Sequence, residues 1–164
     1  MKKRLVYLAS ILLLLAACSG NEVPNKYSRS TSVGVVVKNK QGENLLDTLT
    51  PNAYRYETIY LYYEIDGVWK KYYEPLQAYP KGFDIYTDVE TVSMEFFPYE
   101  SGGSFSNTLI QWNEHDADTI RCEFQITPYS TTCIRVWANS ELKWDWESKN
   151  NKYEGRGVEI IRPD

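Results

Sequence analysis

The chain is expected to fold as a single antiparallel β-sandwich, immunoglobulin-like, with seven to nine short strands. Three observations point there. Aromatic residues make up 15% of the sequence, with 14 Tyr and 5 Trp, and Tyr, Trp, Val, Ile and Thr suit a pleated, half-buried surface. Turn residues recur roughly every ten positions, the rhythm of short strands in a sandwich. Asp66-Gly67 sits between two strand-like runs, and such a pair suits a type I′ hairpin, which needs positive φ at both positions.

The amino-terminal segment is not part of that fold. Met1-Lys2-Lys3-Arg4 precedes an apolar run from Leu5 to Leu15, then Leu15-Ala16-Ala17-Cys18. A basic start, a short apolar stretch and small residues before a cut site make a secretory signal. Cysteine directly after Leu-Ala-Ala resembles a bacterial lipobox. Residues 1–17 are therefore expected to be a lipoprotein signal peptide. Cys18 is expected to take a diacylglycerol on its thiol and an acyl chain, such as palmitate, on its amine. The apolar run has 11 residues, and a membrane span needs about 20. Two or three acyl chains, at about 0.8 kcal/mol per buried methylene, hold a protein firmly on a bilayer surface.

Residues 18–32 carry Gly, Asn, Pro and Ser without periodicity and are expected to be a flexible tether. Residues 33–164 form the expected sandwich domain. A strand is expected over Val33 to Lys38, then a turn at Lys40 to Glu43. Asn44 to Tyr54 reads as an ordered connection packed by Leu45 and Leu46. The Asp66-Gly67 turn fixes a register in which Ile65 faces Val68 and Tyr63 faces Lys70. One hairpin face then carries Ile59, Leu61, Tyr63, Ile65, Val68, Lys70 and Tyr72, and is expected to be the core face. The other carries Tyr60, Tyr62, Glu64, Trp69, Lys71 and Tyr73.

Further strands are expected near Phe83 to Thr87, Thr91 to Phe97 and Thr108 to Trp112. Glu100 to Asn107 reads as a flexible loop. Thr119 to Ile126 alternates, with Ile120, Cys122, Phe124 and Ile126 inward and Arg121, Glu123 and Gln125 outward. After a turn at Thr127 to Ser130, Thr132 to Ala138 returns. Ser140 to Glu147 fits one helical turn or a long loop, and Gly157 to Arg162 closes the fold.

Charge narrows the partners. The formal charge is -4, from 18 basic and 22 acidic residues. Losing Lys2, Lys3 and Arg4 with the signal leaves 15 basic residues, a charge of -7. Such a surface repels phosphate backbones, so no nucleic-acid partner is expected. No Gly-x-Ser-x-Gly, His-Glu-x-x-His or phosphate loop occurs, so neither catalysis nor a cofactor is expected.

Val33 to Val37, Gln41-Gly42-Glu43-Asn44-Leu45-Leu46-Asp47 and Thr50-Pro51-Asn52 resemble the opening of small uncharacterised Bacteroidetes lipoproteins. The Tyr-rich hairpin resembles theirs too, as does Trp112 followed by a polar turn and Asp118-Thr119-Ile120. The resemblance covers residues 33 to 138 and rests on structural motifs. It implies an outer-membrane lipoprotein with an immunoglobulin-like β-sandwich domain and implies no activity. Surface-displayed members carry acids after the lipidated Cys. Ser19-Gly20-Asn21-Glu22 has one, so the periplasmic and surface sides both stay open.

Four candidate sites remain. Cys122 and Cys133 flank one turn and are a candidate disulfide. The alternation turns Cys133 outward and Cys122 inward, so a bridge needs a one-residue shift or a bulge. Glu114, Asp116 and Asp118 gather hard oxygens of the kind calcium takes, though in a spacing that matches no calcium loop, and no metal is expected. Tyr60, Tyr62, Trp69 and Tyr73 form a candidate ligand face, flat rings with polar handles suited to sugars or protein partners. Trp144-Asp145-Trp146 is a further aromatic patch whose two Trp share a face if extended. The expected function is a lipid-anchored envelope binding or assembly module. Carbohydrate binding through the hairpin face is the alternative, and an envelope hydrolase comes third.

Overall fold

A computed structural model describes residues 27–88, 91–148 and 155–162. Cys18, the signal peptide and most of the expected tether lie outside the described residues. The described residues form eleven strands and no helix: β1 Ser28–Ser30, β2 Val33–Lys38, β3 Tyr60–Ile65, β4 Val68–Lys71, β5 Phe83–Thr87, β6 Val92–Phe96, β7 Phe105–Gln111, β8 Ala117–Thr127, β9 Ser130–Ala138, β10 Glu141–Asp145 and β11 Gly157–Ile161. They make two sheets. The larger runs β1-β9-β8-β7-β3-β4, with β10 also on β9; the smaller runs β11-β2-β6-β5.

Strand chemistry explains most of these elements. β2 is Val-Gly-Val-Val-Val-Lys and is buried along nearly its whole length, a β-branched run with no polar face to show water. β8 alternates strictly over its first eight residues, so one side faces the core and the other faces out. The Asp66-Gly67 turn takes φ of 55° and 74°, and its register is the expected one, Ile65 against Val68 and Tyr63 against Lys70.

The inner faces of both sheets feed one hydrophobic cluster. Val33, Val35, Met94 and Phe96 come from the small sheet; Leu61, Ile110, Ile120 and Val136 come from the large one. The Asn44-to-Tyr54 connection packs into it through Leu45, Leu46 and Tyr54. Trp112 is fully buried and stacks on Tyr54 with ring centroids 5.4 Å apart.

Several expectations are corrected. Eleven strands replace seven to nine, and the sheets are mixed. β1 pairs parallel with β9 and β11 parallel with β2. Parallel partners are joined by long crossovers, so no hairpin turn announces them. Ser28–Ser30, assigned to the tether, is β1. The Ser140-to-Glu147 segment is neither helix nor loop: β10 pairs with β9 through a tight turn in which Asn139 and Ser140 have φ of 49° and 70°. β7 starts at Phe105, inside the expected loop. Ile126 is 44% exposed because β7 begins opposite Glu123 and does not extend along the end of β8.

Candidate binding site on the outer sheet face

Register lines up five side chains across the outer face of the large sheet. Trp69 on β4 lies opposite Glu64 on β3. The β3–β7 register sets Tyr63 against Thr108, which brings Glu64 to Asn107, and Asn107 Nδ2 donates to Glu64 Oε2 at 2.6 Å. Asn107 lies opposite Arg121, and Arg121 opposite Trp137. The row therefore reads Trp69, Glu64, Asn107, Arg121, Trp137. Four strand gaps separate its end residues by about 19 Å. A hollow of about 550 Å³ runs along it.

A second row lies beside the first. Phe105 pairs with Glu123, Glu123 with Arg135, and Arg135 with Asp145. Arg135 donates from Nη1 to Glu123 Oε2 and from Nε to Asp145 Oδ2, both at 3.0 Å. Those two carboxylates raise the Arg135 pKa. The Glu147 backbone N–H, with Arg135, lowers that of Asp145. Arg121 differs. Its guanidinium sits over the Phe105 ring, 4.3 Å from the centroid, and among the described residues no carboxylate pairs with it. Trp69 and Phe105 are 41% and 44% exposed, which is unusual for rings that could have packed inward.

The expected hairpin face is only partly this site. Trp69 belongs to the row, but Tyr60, Tyr62 and Tyr73 do not form a bare platform with it. Lys71 Nζ lies 3.1 Å from the Tyr60 ring centroid and Lys81 Nζ 4.3 Å from it. Lys81 is fixed there by donating to the carbonyls of Tyr56, Glu57 and Ile59 at 2.8–3.2 Å, and desolvation lowers its pKa. Tyr62 donates its hydroxyl to Gln111 Oε1 at 3.0 Å. Tyr73 is exposed but lies past the end of β4.

Asp118 is a structural acid. It is 2% exposed and accepts from Trp112 Nε1, Asn139 Nδ2 and Arg162 Nη2, each at 2.6 Å. Asp116 accepts from Tyr54 Oη at 3.1 Å and Asn113 Nδ2 at 2.9 Å. Glu114 is exposed in the turn. The three acids are thus split among different tasks, and among the described residues no group of three His, Cys, Asp or Glu is arranged to hold a metal.

The cysteines meet inside. β9 carries a register shift opposite Glu123 and Phe124, which sets Arg135 against Glu123 and Cys133 against Phe124. Ile134 is the extra residue of a bulge, so Cys133 turns inward rather than outward. Both thiols are free and buried. Hydrogen bonding to Cys133, with burial, pushes Cys122 well up in pKa, and the same contact pulls Cys133 down. Trp144 and Trp146 divide: the first is buried, the second 62% exposed, in an edge-on contact at 6.5 Å.

A second hollow of about 720 Å³ lies between the β1 segment and Tyr63, Tyr72, Tyr79 and Tyr99. Its charged groups serve the chain itself. Thr31 Oγ1 donates to Glu100 at 2.9 Å, and Arg156 Nε to the Ser32 carbonyl at 2.8 Å. It anchors the start of the domain.

Sequence reasoning missed Trp137, Asn107 and Phe105. The signal was present for Trp137, because the alternation that put Val136 inward also put Trp137 outward beside Arg121. Asn107 and Phe105 were hidden by the assignment of their segment to a loop. Comparison with protein-family models, curated proteins and solved structures found no match, so the reading of the site rests on its geometry.

Proposed function

We propose that the protein is a lipid-anchored cell-envelope binding module that holds its ligand along the outer-face row from Trp69 to Trp137. One observation carries this reading. Three aromatic rings, two of them more than two-fifths exposed, stand in one groove with an amide, two carboxylates and a guanidinium between them. Exposed aromatics rimmed by polar groups mark binding surfaces. Single antiparallel sheet faces in water are ordinarily polar. Acylation at Cys18 supplies the attachment, and the outer membrane is the proposed location.

Two sheets sharing one core support the single-sandwich reading, and an immunoglobulin-like arrangement is part of the proposal. The groove acids argue for binding rather than hydrolysis. Glu64 is engaged by Asn107 and Glu123 by Arg135, each occupied by a neighbour. The alternation of rings with hydrogen-bonding groups favours carbohydrate over a protein partner, since sugars present both an apolar face and hydroxyls.

The test uses the full-length protein in detergent, titrated with separated envelope polysaccharide and envelope protein fractions. Tryptophan fluorescence is followed for wild type and for a Trp69→Ala, Trp137→Ala double variant. The wild type is expected to respond to one fraction and the double variant to neither. Equal binding by both proteins removes the groove from the account. In cells, Cys18→Ser is expected to release the protein from membranes, and unchanged membrane fractionation contradicts the anchor.

A further inference from the structure

We infer that the groove takes an acidic saccharide, a sugar chain bearing a carboxylate, with the acid at the Arg121 and Trp137 end. This rests on the binding reading above. The row is directional. At one end Trp69 stands beside Glu64, which accepts from Asn107 through one oxygen and keeps the other for a sugar hydroxyl. At the opposite end Arg121 stands beside Trp137. Along the row the carboxylate therefore lies toward the Trp69 end and the guanidinium toward the Trp137 end.

Arg121 and Arg135 make the contrast that identifies the ligand. They lie on neighbouring strands, two residues or fewer apart in level. Arg135 is paired with two carboxylates, those of Glu123 and Asp145. Arg121 faces the groove with no carboxylate partner among the described residues, and its guanidinium carbon lies 4.3 Å from the Phe105 ring centroid. A guanidinium without a carboxylate partner can meet a carboxylate with two parallel hydrogen bonds. Trp137 then stands beside the bound acid as a flat surface on which a sugar ring stacks.

The surrounding charge selects a single-charged acid over a polyanion. Glu64 and Glu123 line the same groove, and the chain is acidic throughout, with a sequence pI of about 5.1. A phosphate dianion or a nucleic-acid backbone meets repulsion on both sides of Arg121. One carboxylate on an otherwise neutral sugar meets one guanidinium.

The experiment titrates the full-length protein in detergent with a galacto-oligosaccharide bearing one terminal galacturonate, its methyl ester, a monosialylated oligosaccharide and a neutral galacto-oligosaccharide, reading tryptophan fluorescence. At least one acidic saccharide is expected to bind about tenfold or more tightly than its ester or neutral counterpart, an advantage that a charge-assisted contact supplies and that salt weakens. Arg121→Gln is expected to erase that advantage while the melting temperature stays unchanged, and Arg121→Lys to keep part of it. Trp137→Ala is expected to lose acidic and neutral saccharides together. Equal binding of acid and ester, unmoved by Arg121→Gln, overturns the inference and leaves the aromatic groove as a neutral-sugar site. Failure of every acidic saccharide to bind at millimolar concentration also overturns it. Continued response to an envelope protein fraction that the double tryptophan variant loses keeps the groove and assigns it a protein ligand.

Discussion

At the residue scale, the arrangement hangs on a few side chains whose partners are buried. Asp118 and Arg162 are the clearest. The pair is formed at 2.6 Å with side-chain exposures of 2% and 16%, and Arg162 is the last described residue of its segment. Removing one partner of a buried pair leaves an uncompensated charge, which costs about 3–5 kcal/mol. Arg162→Ala is therefore expected to destabilise the domain by about 3 kcal/mol in urea unfolding. A loss below about 1 kcal/mol would show that water reaches Asp118 readily. The sequence displayed Asp118 as one acid of a polar turn and hid its role, because the Trp112 and Asn139 donors and the Arg162 cation come from three other places in the chain. Gly82 is a second case. Its φ is 78°, and a Cβ there would lie 2.8 Å from Tyr63 Oη and 2.9 Å from Tyr72 Cδ1. Gly82→Ala is expected to lower the melting temperature more than Gly67→Val, whose Cβ would meet open space and whose cost is positive φ alone, about 1 kcal/mol.

At the element scale, what was legible was local. The Asp66-Gly67 hairpin, the β8 alternation and the leucine-packed connection each follow from residues adjacent in sequence. The β9–β10 turn was missed because Asn139-Ser140 lacks the glycine that usually accompanies positive φ. The β9 bulge was missed for a related reason: one inserted residue reverses which side chains face in, and no residue type announces it. That bulge decides the cysteines. Because both thiols lie in the core, iodoacetamide is expected to leave them unmodified in the folded protein and to modify them on unfolding. Rapid labelling of the native state would contradict the inward turn of Cys133. Past the bulge the alternation is regular, Val136 inward with Arg135 and Trp137 outward, so the bulge decides the thiol pair and the alternation sets the site.

At the scale of the whole molecule, two sheets close on one core and leave the outer face of the larger one to water. The chain enters at β1, where Ser28 pairs with Ser130. Trp137 lies seven positions along β9, about 23 Å from that entry at the rise of a strand. The core also sets the pH range. Burial raises Tyr54 from its ordinary 10.0 to about 12 and raises Tyr63 as well. A raised pKa means the fold favours the neutral phenol, so this stabilisation is complete below pH 10 and is lost as pH climbs through 12. Melting temperature is expected to fall across that window, and Tyr54→Phe to flatten the fall. A constant melting temperature through that window would contradict the burial of Tyr54.

The central claim, that the Trp69-to-Trp137 row is the binding surface, has a direct measurement. The five tryptophans give five indole N–H signals, and selective ¹⁵N labelling separates them. On titration with envelope polysaccharide, the Trp69 and Trp137 signals are expected to shift together, while those of buried Trp112 and Trp144 stay in place. Saturable binding that leaves Trp69 and Trp137 unmoved would contradict the account.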